Sequence, residues 1–263
     1  MRRLGSREIS SRLAYITRSF PDDPALDTAV SRALMLRVAA GELTQTLRIS
    51  LPGSIVAFGK RDVVSPGYAG AVRAAREGGF KAIERLAGGR AAVFTDQTVS
   101  FAHAVGDPDP RSRVFERFDS TAALIARALA RLGVDARVGE VEGEYCPGEH
   151  SVNARGARKL MGVGQRLVSG GAHVGGVVVV EGAGRVNSVL VPVYAALGLH
   201  WRPEATGAVA DEVSGVTWDG VAEAIRAEYA ERYELVPGDL DEETLALARR
   251  LAPEHLSPAW PSA

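Results

Sequence analysis

The residue best suited to covalent chemistry is Cys146, the single cysteine of the chain. It lies in a Cys-Pro-Gly bend, where proline fixes φ and glycine relaxes the backbone. Lys159 follows thirteen residues later, at the start of the predicted return strand of a short hairpin over residues 151–168. An ammonium folded back towards a thiol favours the thiolate, the form that attacks acyl groups. The two residues predict an acyl-transfer site, provided that the hairpin folds back.

A histidine opens the next strand. His173 follows a glycine pair and precedes the apolar run 174–180, whose length and β-branching predict a buried strand. It is the histidine best placed to help with proton transfer, and a structural role is the alternative. The other four histidines have no metal-ligand spacing, and with one cysteine a zinc site is not expected.

A second block of interest begins at Arg85. Gly88 and Gly89 allow the backbone to come close to a ligand or to another strand, and a β-bulge is the alternative. Arg85 and Arg90 flank the glycines and are either substrate-binding or solvated charges. The next two stretches, 91–96 and 98–103, are predicted to form a hairpin.

The remaining elements predict an α+β fold with mixed or antiparallel sheets flanked by helices, because strands outnumber helices and connect largely as hairpins. Residues 1–12 are polar and expected to be flexible. Residues 13–200 are predicted to form the main domain. Residues 201–263, with helices from about 217 and about 241, are predicted to form a small helical C-terminal extension packed on it.

Two motifs carry a family resemblance over roughly residues 13–200. The sequence YCPGEHSVN followed by ARKLMGVGQR is similar to the signature of the cofactor-transferase family of lipoate-protein ligases, biotin-protein ligases and octanoyltransferases. A Cys-Pro-Gly ahead of the lysine strand is most similar to members that move octanoyl between lipoyl domains through a cysteine thioester. The resemblance implies the lipoate/biotin ligase catalytic-domain fold.

The resemblance also implies residue roles. Cys146 would be the nucleophile, and Lys159 would favour its thiolate and hold the acyl carbonyl as charge develops on oxygen. The glycine loop, whose Arg85, Gly88 and Gly89 resemble the family's Arg-x-x-Gly-Gly motif, would line the acyl-chain pocket. The candidate substrate-binding residues are Arg85, Gly88, Gly89, Arg90, Gly162 and His173. This sequence departs from the family at Thr95, where many members have a histidine. The spacing from Gly89 to Asp96 is also one residue longer here than in many members of the family.

Three functions follow from this reasoning. The first is an acyltransferase that moves octanoyl, or lipoyl, from a carrier protein to the lysine of a lipoyl domain through a Cys146 thioester, without a cofactor. The second is an ATP-dependent lipoate-protein ligase that uses Lys159, ATP and Mg²⁺ without Cys146. The third is a non-catalytic module that binds acyl carriers. The expected partners are acyl-carrying lipoyl-domain proteins, such as glycine cleavage H protein and 2-oxoacid dehydrogenase subunits, or acyl carrier protein.

The amino-acid composition indicates which partners and which cellular compartment to expect. The formal net charge of −1 comes from 31 Lys and Arg against 32 Asp and Glu, so no nucleic-acid partner is indicated. A single cysteine excludes an internal disulfide framework and fits a reducing compartment. The N-terminus lacks the apolar stretch of a signal peptide, and no window approaches about 18 uninterrupted apolar residues. A cytoplasmic protein with no membrane partner is therefore expected.

Overall fold

The computed structural model describes residues 11–258. The strands in these residues are β1 (Arg12–Ile16), β2 (Thr46–Ser50), β3 (Ile55–Phe58), β4 (Lys81–Glu84), β5 (Ala92–Phe94), β6 (Thr98–Gly106), β7 (Ala136–Val138), β8 (Val152–Ala154), β9 (Arg158–Val168), β10 (Gly171–Val179) and β11 (Glu234–Pro237). The helices are α1 (Pro24–Ala39), α2 (Lys60–Val63), α3 (Tyr68–Glu77), α4 (Val114–Arg131), α5 (Ala183–Ala196), α6 (Trp218–Ala230) and α7 (Glu242–Leu251).

The strands form two mixed sheets. Within the described residues, the main sheet has eight strands in the order β11-β1-β2-β6-β10-β9-β8-β7, and the small sheet has the order β4-β3-β5. Strand β1 pairs in parallel with both β11 and β2, and β3 pairs in parallel with β4, whereas the other pairs are antiparallel. The predicted α+β class with mixed sheets is confirmed.

Helices cover both sheets and bury three main apolar clusters. Helices α4 and α6 pack together over the main sheet, and their cluster includes Phe101, Ile125 and Ile225. Helices α3 and α5 pack on one face of the small sheet, whereas α1 and α7 form a third cluster. Within residues 11–258, no helix combines the length and the apolar character needed to cross a bilayer.

Local signals in the sequence explain several element boundaries. Helix α1 begins where the Asp23 carboxylate accepts a hydrogen bond from Leu26 N–H at 3.1 Å, with Pro24 at its first position. The predicted hairpin of the lysine strand is confirmed as β8 and β9, which are antiparallel. Its turn contains Arg155 and Gly156, both with positive φ.

One predicted hairpin is wrong. Strands β5 and β6 are consecutive but belong to different sheets: β5 pairs with β3, and β6 pairs with β2 and β10. The turn between them is closed locally, since Thr95 N–H donates to Thr98 Oγ1 at 3.1 Å. The chain therefore crosses from the small sheet to the main sheet at this turn.

The two ends also differ from expectation. Arg12, inside the segment expected to be flexible, begins β1, while residues 1–10 and 259–263 lie outside the described residues. The C-terminal extension is not purely helical, because β11 joins the main sheet as its edge strand beside β1. This four-residue strand was missed because it is short and ends in proline, which suits an edge position.

Candidate active site

Cys146 has an uncommon backbone conformation that two contacts hold. Its φ of 43° is positive, which is costly for a residue with a side chain, by about 1–3 kcal/mol. Its N–H donates to the Tyr194 hydroxyl at 2.9 Å, and that hydroxyl donates to Ala91 C=O at 3.0 Å. Its C=O accepts from Lys159 Nζ at 2.8 Å. Side chains thus bind both backbone polar groups of the cysteine, and this fixes the orientation of its thiol.

Lys159 is buried, with 1% of its surface exposed. Its ammonium donates to Glu144 Oε1 at 3.0 Å, to Tyr145 C=O at 3.0 Å and to Cys146 C=O. These bonds use the three hydrogens of an ammonium group. The ammonium also lies 4.8 Å from the centre of the Tyr145 ring, within the range of a cation–π contact. The hairpin therefore folds back, which was the condition for an acyl-transfer site, and the lysine binds the cysteine backbone.

A β-bulge gives Lys159 its direction. The pairing of β8 with β9 shifts by one residue, so that Val152 faces Met161 while Asn153 faces Lys159. A bulge reverses the alternation of side chains beyond it. As a result Gly162 lies on the same side as the lysine, and a Cβ there would stand 3.3 Å from Lys159 Cε. Gly162 leaves room for the lysine side chain.

The glycine loop contacts the thiol directly. Arg90 N–H donates to Cys146 Sγ at 3.1 Å, and the preceding Gly89 has a φ of 107°. The Arg85 guanidinium donates to the carbonyls of Ala87, Gly88 and Arg90 and so holds the loop. The loop backbone therefore lies directly against the sulfur and fixes its position.

We expect Gly89→Ala to damage the site and Gly88→Ala to spare it. A Cβ at Gly89 would stand 2.5 Å from Arg85 Nη2 and 2.9 Å from Cys146 Sγ, in a backbone region closed to alanine, whereas a Cβ at Gly88 would meet nothing within 4 Å. Gly89→Ala should lose about 1–3 kcal/mol of unfolding free energy and slow alkylation of the thiol. Urea unfolding and iodoacetamide rates measure both effects. Equal behaviour of the two variants would contradict this geometry.

A cavity of about 480 Å³ adjoins the thiol. Its floor is the face of the main sheet that carries Gly162, Gly164, Ala102 and Gly175, so few side chains project into it. The opposing wall is the free face of the small sheet, which contributes Ile55, Ala57, Ile83, Ala92 and Phe94. A narrow cavity between a sheet face with few side chains and an apolar sheet face suits a linear hydrocarbon chain.

The two central histidines lie on opposite faces of the main sheet. His173 lines the cavity, and burial lowers its pKa to about 4, with a smaller contribution from His103. His103 contacts Gln45 Oε1 through Nε2 at 3.2 Å, and burial lowers its pKa to about 4 as well. Both rings are therefore neutral near pH 7, so His173 is poorly suited to donate protons at that pH.

These shifts predict an acid-sensitive fold. The unfolded chain, with histidine pKa values near 6.5, binds more protons than the folded chain, so the free energy of unfolding falls as pH drops from 7 towards 4. Each histidine should contribute a loss of roughly 2 kcal/mol between about pH 7 and pH 5. Urea unfolding at both pH values should therefore show a smaller loss in His103→Leu than in the wild type. An unchanged pH dependence in the variant would contradict the assigned pKa.

The structure brings the sequence-derived candidates together. Cys146, Lys159, Arg85, Gly88, Gly89, Gly162 and His173 all line the cavity. Arg90 contributes its N–H to the thiol, and its side chain pairs with the buried Asp62 at 3.2 Å. Thr95 is buried, and its hydroxyl accepts from Gln97 N–H, which assigns it to the turn before β6.

Sequence reasoning missed two residues of the site. Glu144 is buried beside the cysteine and accepts hydrogen bonds from Lys159, Ser151 Oγ at 2.6 Å and Gly148 N–H at 3.1 Å. Glu144 lies 15 residues before Lys159 in the sequence, so a search for a charge partner of the candidate lysine could have identified it. Tyr194 lies on α5, 48 residues beyond the cysteine, and no local pattern marks it.

Sequence comparison finds relatives with named activities. The chain is 28% identical over 170 residues to octanoyl-[GcvH]:protein N-octanoyltransferase of Geobacillus kaustophilus, covering 65% of this chain and 60% of the relative. It is 23% identical over 200 residues to the protein of that name from Bacillus velezensis, covering 76% and 69% of the two chains. The match to the first of these spans less than two thirds of that protein's length.

Solved structures share the fold. A lipoate-protein ligase A bound with ATP superposes with a TM-score of 0.74 at 18% identity, covering 93% of this chain and 94% of that one. A putative lipoate protein ligase from T. acidophilum with bound lipoic acid gives 0.72 at 19% identity, covering 93% and 95%. Residues 23–227 match the lipoyl protein ligase A/B catalytic domain, and because this range is most of the chain, the protein belongs to that family.

Proposed function

We propose that the protein transfers an octanoyl or lipoyl group between carrier proteins through a thioester on Cys146. The observation that carries the proposal is the thiol itself, which accepts a hydrogen bond from Arg90 N–H at the edge of the apolar cavity. The names of the relatives from Geobacillus and Bacillus support this activity. A ligase that activates a free acid with ATP has no need for a thiol at this point.

In the first step, Cys146 Sγ attacks the acyl carbonyl carbon of a donor, whose acyl group is an amide on a carrier lysine. An S–C bond forms and the C–N bond breaks. The proton lost by the thiol leaves on the departing amine, since an amine leaves well only when protonated. The acyl chain would occupy the slot between the two sheets, where each buried methylene contributes about 0.8 kcal/mol.

In the second step, the lysine amine of the acceptor lipoyl domain attacks the thioester. A new C–N bond forms, the S–C bond breaks, and the sulfur leaves as the thiolate that Arg90 N–H stabilises. The proton of the attacking amine returns the thiol to its starting state. The cycle balances without ATP or a metal ion.

Lys159 would act chiefly through the cysteine backbone. Its three donors are engaged by Glu144, Tyr145 and Cys146, so binding the acyl carbonyl would require one of those bonds to be exchanged. The fixed positive charge still favours a developing oxyanion nearby. Its main proposed role is to hold Cys146 in the left-handed conformation that presents the sulfur.

The partners proposed are lipoyl-domain proteins. The names of the relatives identify GcvH as their octanoyl carrier, so glycine cleavage H protein is the proposed donor and other lipoyl domains are the proposed acceptors. No cofactor is needed in this scheme.

Intact-protein mass spectrometry tests the proposal. Incubation with octanoylated glycine cleavage H protein, without ATP, should add one octanoyl group to Cys146, and a lipoyl domain added afterwards should remove it. A mixture with free octanoate, ATP and Mg²⁺ is the parallel arm. Transfer that needs ATP and leaves the cysteine unmodified would replace the proposal with the ligase function. Carrier binding without transfer in either arm would leave a binding module.

A further inference from the structure

The proposed reaction needs a group that carries protons. In the first step a proton leaves the thiol and reaches the departing lysine amine, and the second step returns one to the sulfur. Lys159 is a poor carrier, because all three of its hydrogens are engaged and the loss of one would weaken its hold on Cys146. His173 is also unsuited, since burial lowers its pKa to about 4 and its Nδ1 is enclosed.

The other ionisable side chains of the cavity are engaged as well. Asp27 is ion-paired with the buried Arg48. Arg85 holds carbonyls of the glycine loop, and a guanidinium keeps its proton at neutral pH. Burial raises the pKa of Tyr145, whose hydroxyl is enclosed. Among the described residues that line the cavity, His150 remains, and an imidazole can accept and donate a proton near neutral pH.

His150 has one nitrogen bound and one accessible. Its Nε2 lies 3.0 Å from Asp119 Oδ1, and its ring stacks on Phe118 with 4.9 Å between the ring centres. Because a carboxylate accepts hydrogen bonds, Nε2 carries the hydrogen and Nδ1 is the basic nitrogen of the neutral ring. Nδ1 has no hydrogen-bond partner among the described residues, and unlike Nδ1 of His173 it is not enclosed. Asp119 therefore orients an imidazole whose basic nitrogen can be reached.

Glu144 connects the loop of His150 to the anchored lysine. Its Oε1 accepts hydrogen bonds from Gly148 N–H and Ser151 Oγ, which come before and after the histidine. The same oxygen accepts from Lys159 Nζ. Ser151 N–H also donates to Gly148 C=O at 3.0 Å, which closes a turn around His150. The histidine is thus carried on a fixed turn beside the residues that hold the cysteine.

The position of His150 suits the nitrogen that must be protonated. Pro147, next to the thiol, is exposed, and the His150 side chain is 17% exposed, so the cavity opens to the surface at this end. A donor lysine belongs to a protein, so it can reach Cys146 only through an opening, with its acyl chain entering the cavity first. The amide nitrogen therefore stays on the side of the opening, where His150 lies.

We propose that His150 is the catalytic acid and base of both transfer steps and that Asp119 positions it. The inference rests on the acyl-thioester function proposed above. Nδ1 takes the proton of the thiol as Sγ attacks the acyl carbon, and the imidazolium gives that proton to the lysine nitrogen as the C–N bond breaks. In the second step Nδ1 takes a proton from the attacking amine and returns it to the sulfur as the S–C bond breaks. The Asp119 carboxylate stabilises the transient imidazolium.

Two donors with different leaving groups test the inference. An amine leaves well only with a proton, whereas a thiolate leaves without one, so the loss of a proton carrier should slow an amide donor more than a thioester donor. Octanoylated glycine cleavage H protein and the octanoyl thioester of N-acetylcysteamine are compared by the rate of mass gain on Cys146. We expect His150→Gln, which keeps an N–H for Asp119 but carries no proton, to lower the ratio of amide to thioester rates by about 10-fold or more.

His200→Gln is the matched control, because His200 is exposed and does not line the cavity, and its ratio should equal that of the wild type. An unchanged ratio in His150→Gln would overturn the inference. If that variant reacts with neither donor, His150→Ala is assayed with added imidazole, which should raise the rate with the amide donor; a flat response would overturn the inference. A wild-type protein that neither donor acylates would instead reject the proposed function, and the inference with it.

Discussion

Cys146→Ala is expected to abolish acyl transfer while leaving the protein folded. The alanine lacks the sulfur that would form the proposed thioester, and loss of a nucleophile costs at least about a thousandfold in rate. The contacts that hold this backbone, from Tyr194 and Lys159, go to the main-chain N–H and C=O and survive the change. Transfer of octanoyl from carrier to lipoyl domain, followed by mass spectrometry, provides the measurement.

Cys146→Gly is the matched control for the fold. It should be equally inactive, but glycine adopts the φ of 43° without the cost that alanine pays, roughly 1 kcal/mol. The glycine variant should therefore be as stable as the alanine variant or more so. Full transfer by either variant would remove the thioester from the mechanism and favour the ligase, in which Lys159 acts without the cysteine.

The second large effect is expected at the buried ion pair of Glu144 and Lys159. Their side chains are 0% and 2% exposed, with 3.0 Å between Oε1 and Nζ. Glu144→Gln leaves a buried ammonium without its carboxylate, which should cost about 3–5 kcal/mol of unfolding free energy. It should also lower transfer activity, because the ammonium that anchors Cys146 loses its fixed position. Urea unfolding and transfer rates provide the two measurements.

Two further variants make this prediction specific. The double variant Glu144→Gln with Lys159→Met removes both charges and should regain much of the lost stability without regaining activity. The exposed pair of Glu223 and Arg226, 2.6 Å apart, is the comparison, and Glu223→Gln there should cost about 0.5 kcal/mol or less. A Glu144→Gln protein as stable as the Glu223→Gln protein would show that the buried pair is not required for the fold.

Local sequence signals predicted much of the site. The turn at Arg155 and Gly156 reverses the chain between β8 and β9, and this returns Lys159 to Cys146 as the hairpin pattern implied. The Gly89 loop was predicted to approach a ligand closely, and the structure places it against the thiol. These features depend on residues near one another in sequence, whose conformational preferences act locally.

Features that depend on distant partners were not predicted. Strand β5 has hairpin-like spacing to β6, but it pairs with β3 in the small sheet, on which α3 and α5 pack. Tyr194 resembles any apolar-face residue of a helix, and only the fold brings its hydroxyl to Cys146 N–H. Periodicity identifies which face of an element is buried and does not identify what that face meets.

The anchoring of Cys146 also has a consequence for the order of events in folding. The contacts that position Cys146 come from Arg90, 56 residues earlier, from Lys159, 13 residues later, and from Tyr194, 48 residues later. The Arg90 and Tyr194 contacts span 56 and 48 residues, and contacts over such separations form later than local ones. We therefore expect a chain in which α5 has not docked to lack the Tyr194 contact and to hold Cys146 less firmly than the folded protein does.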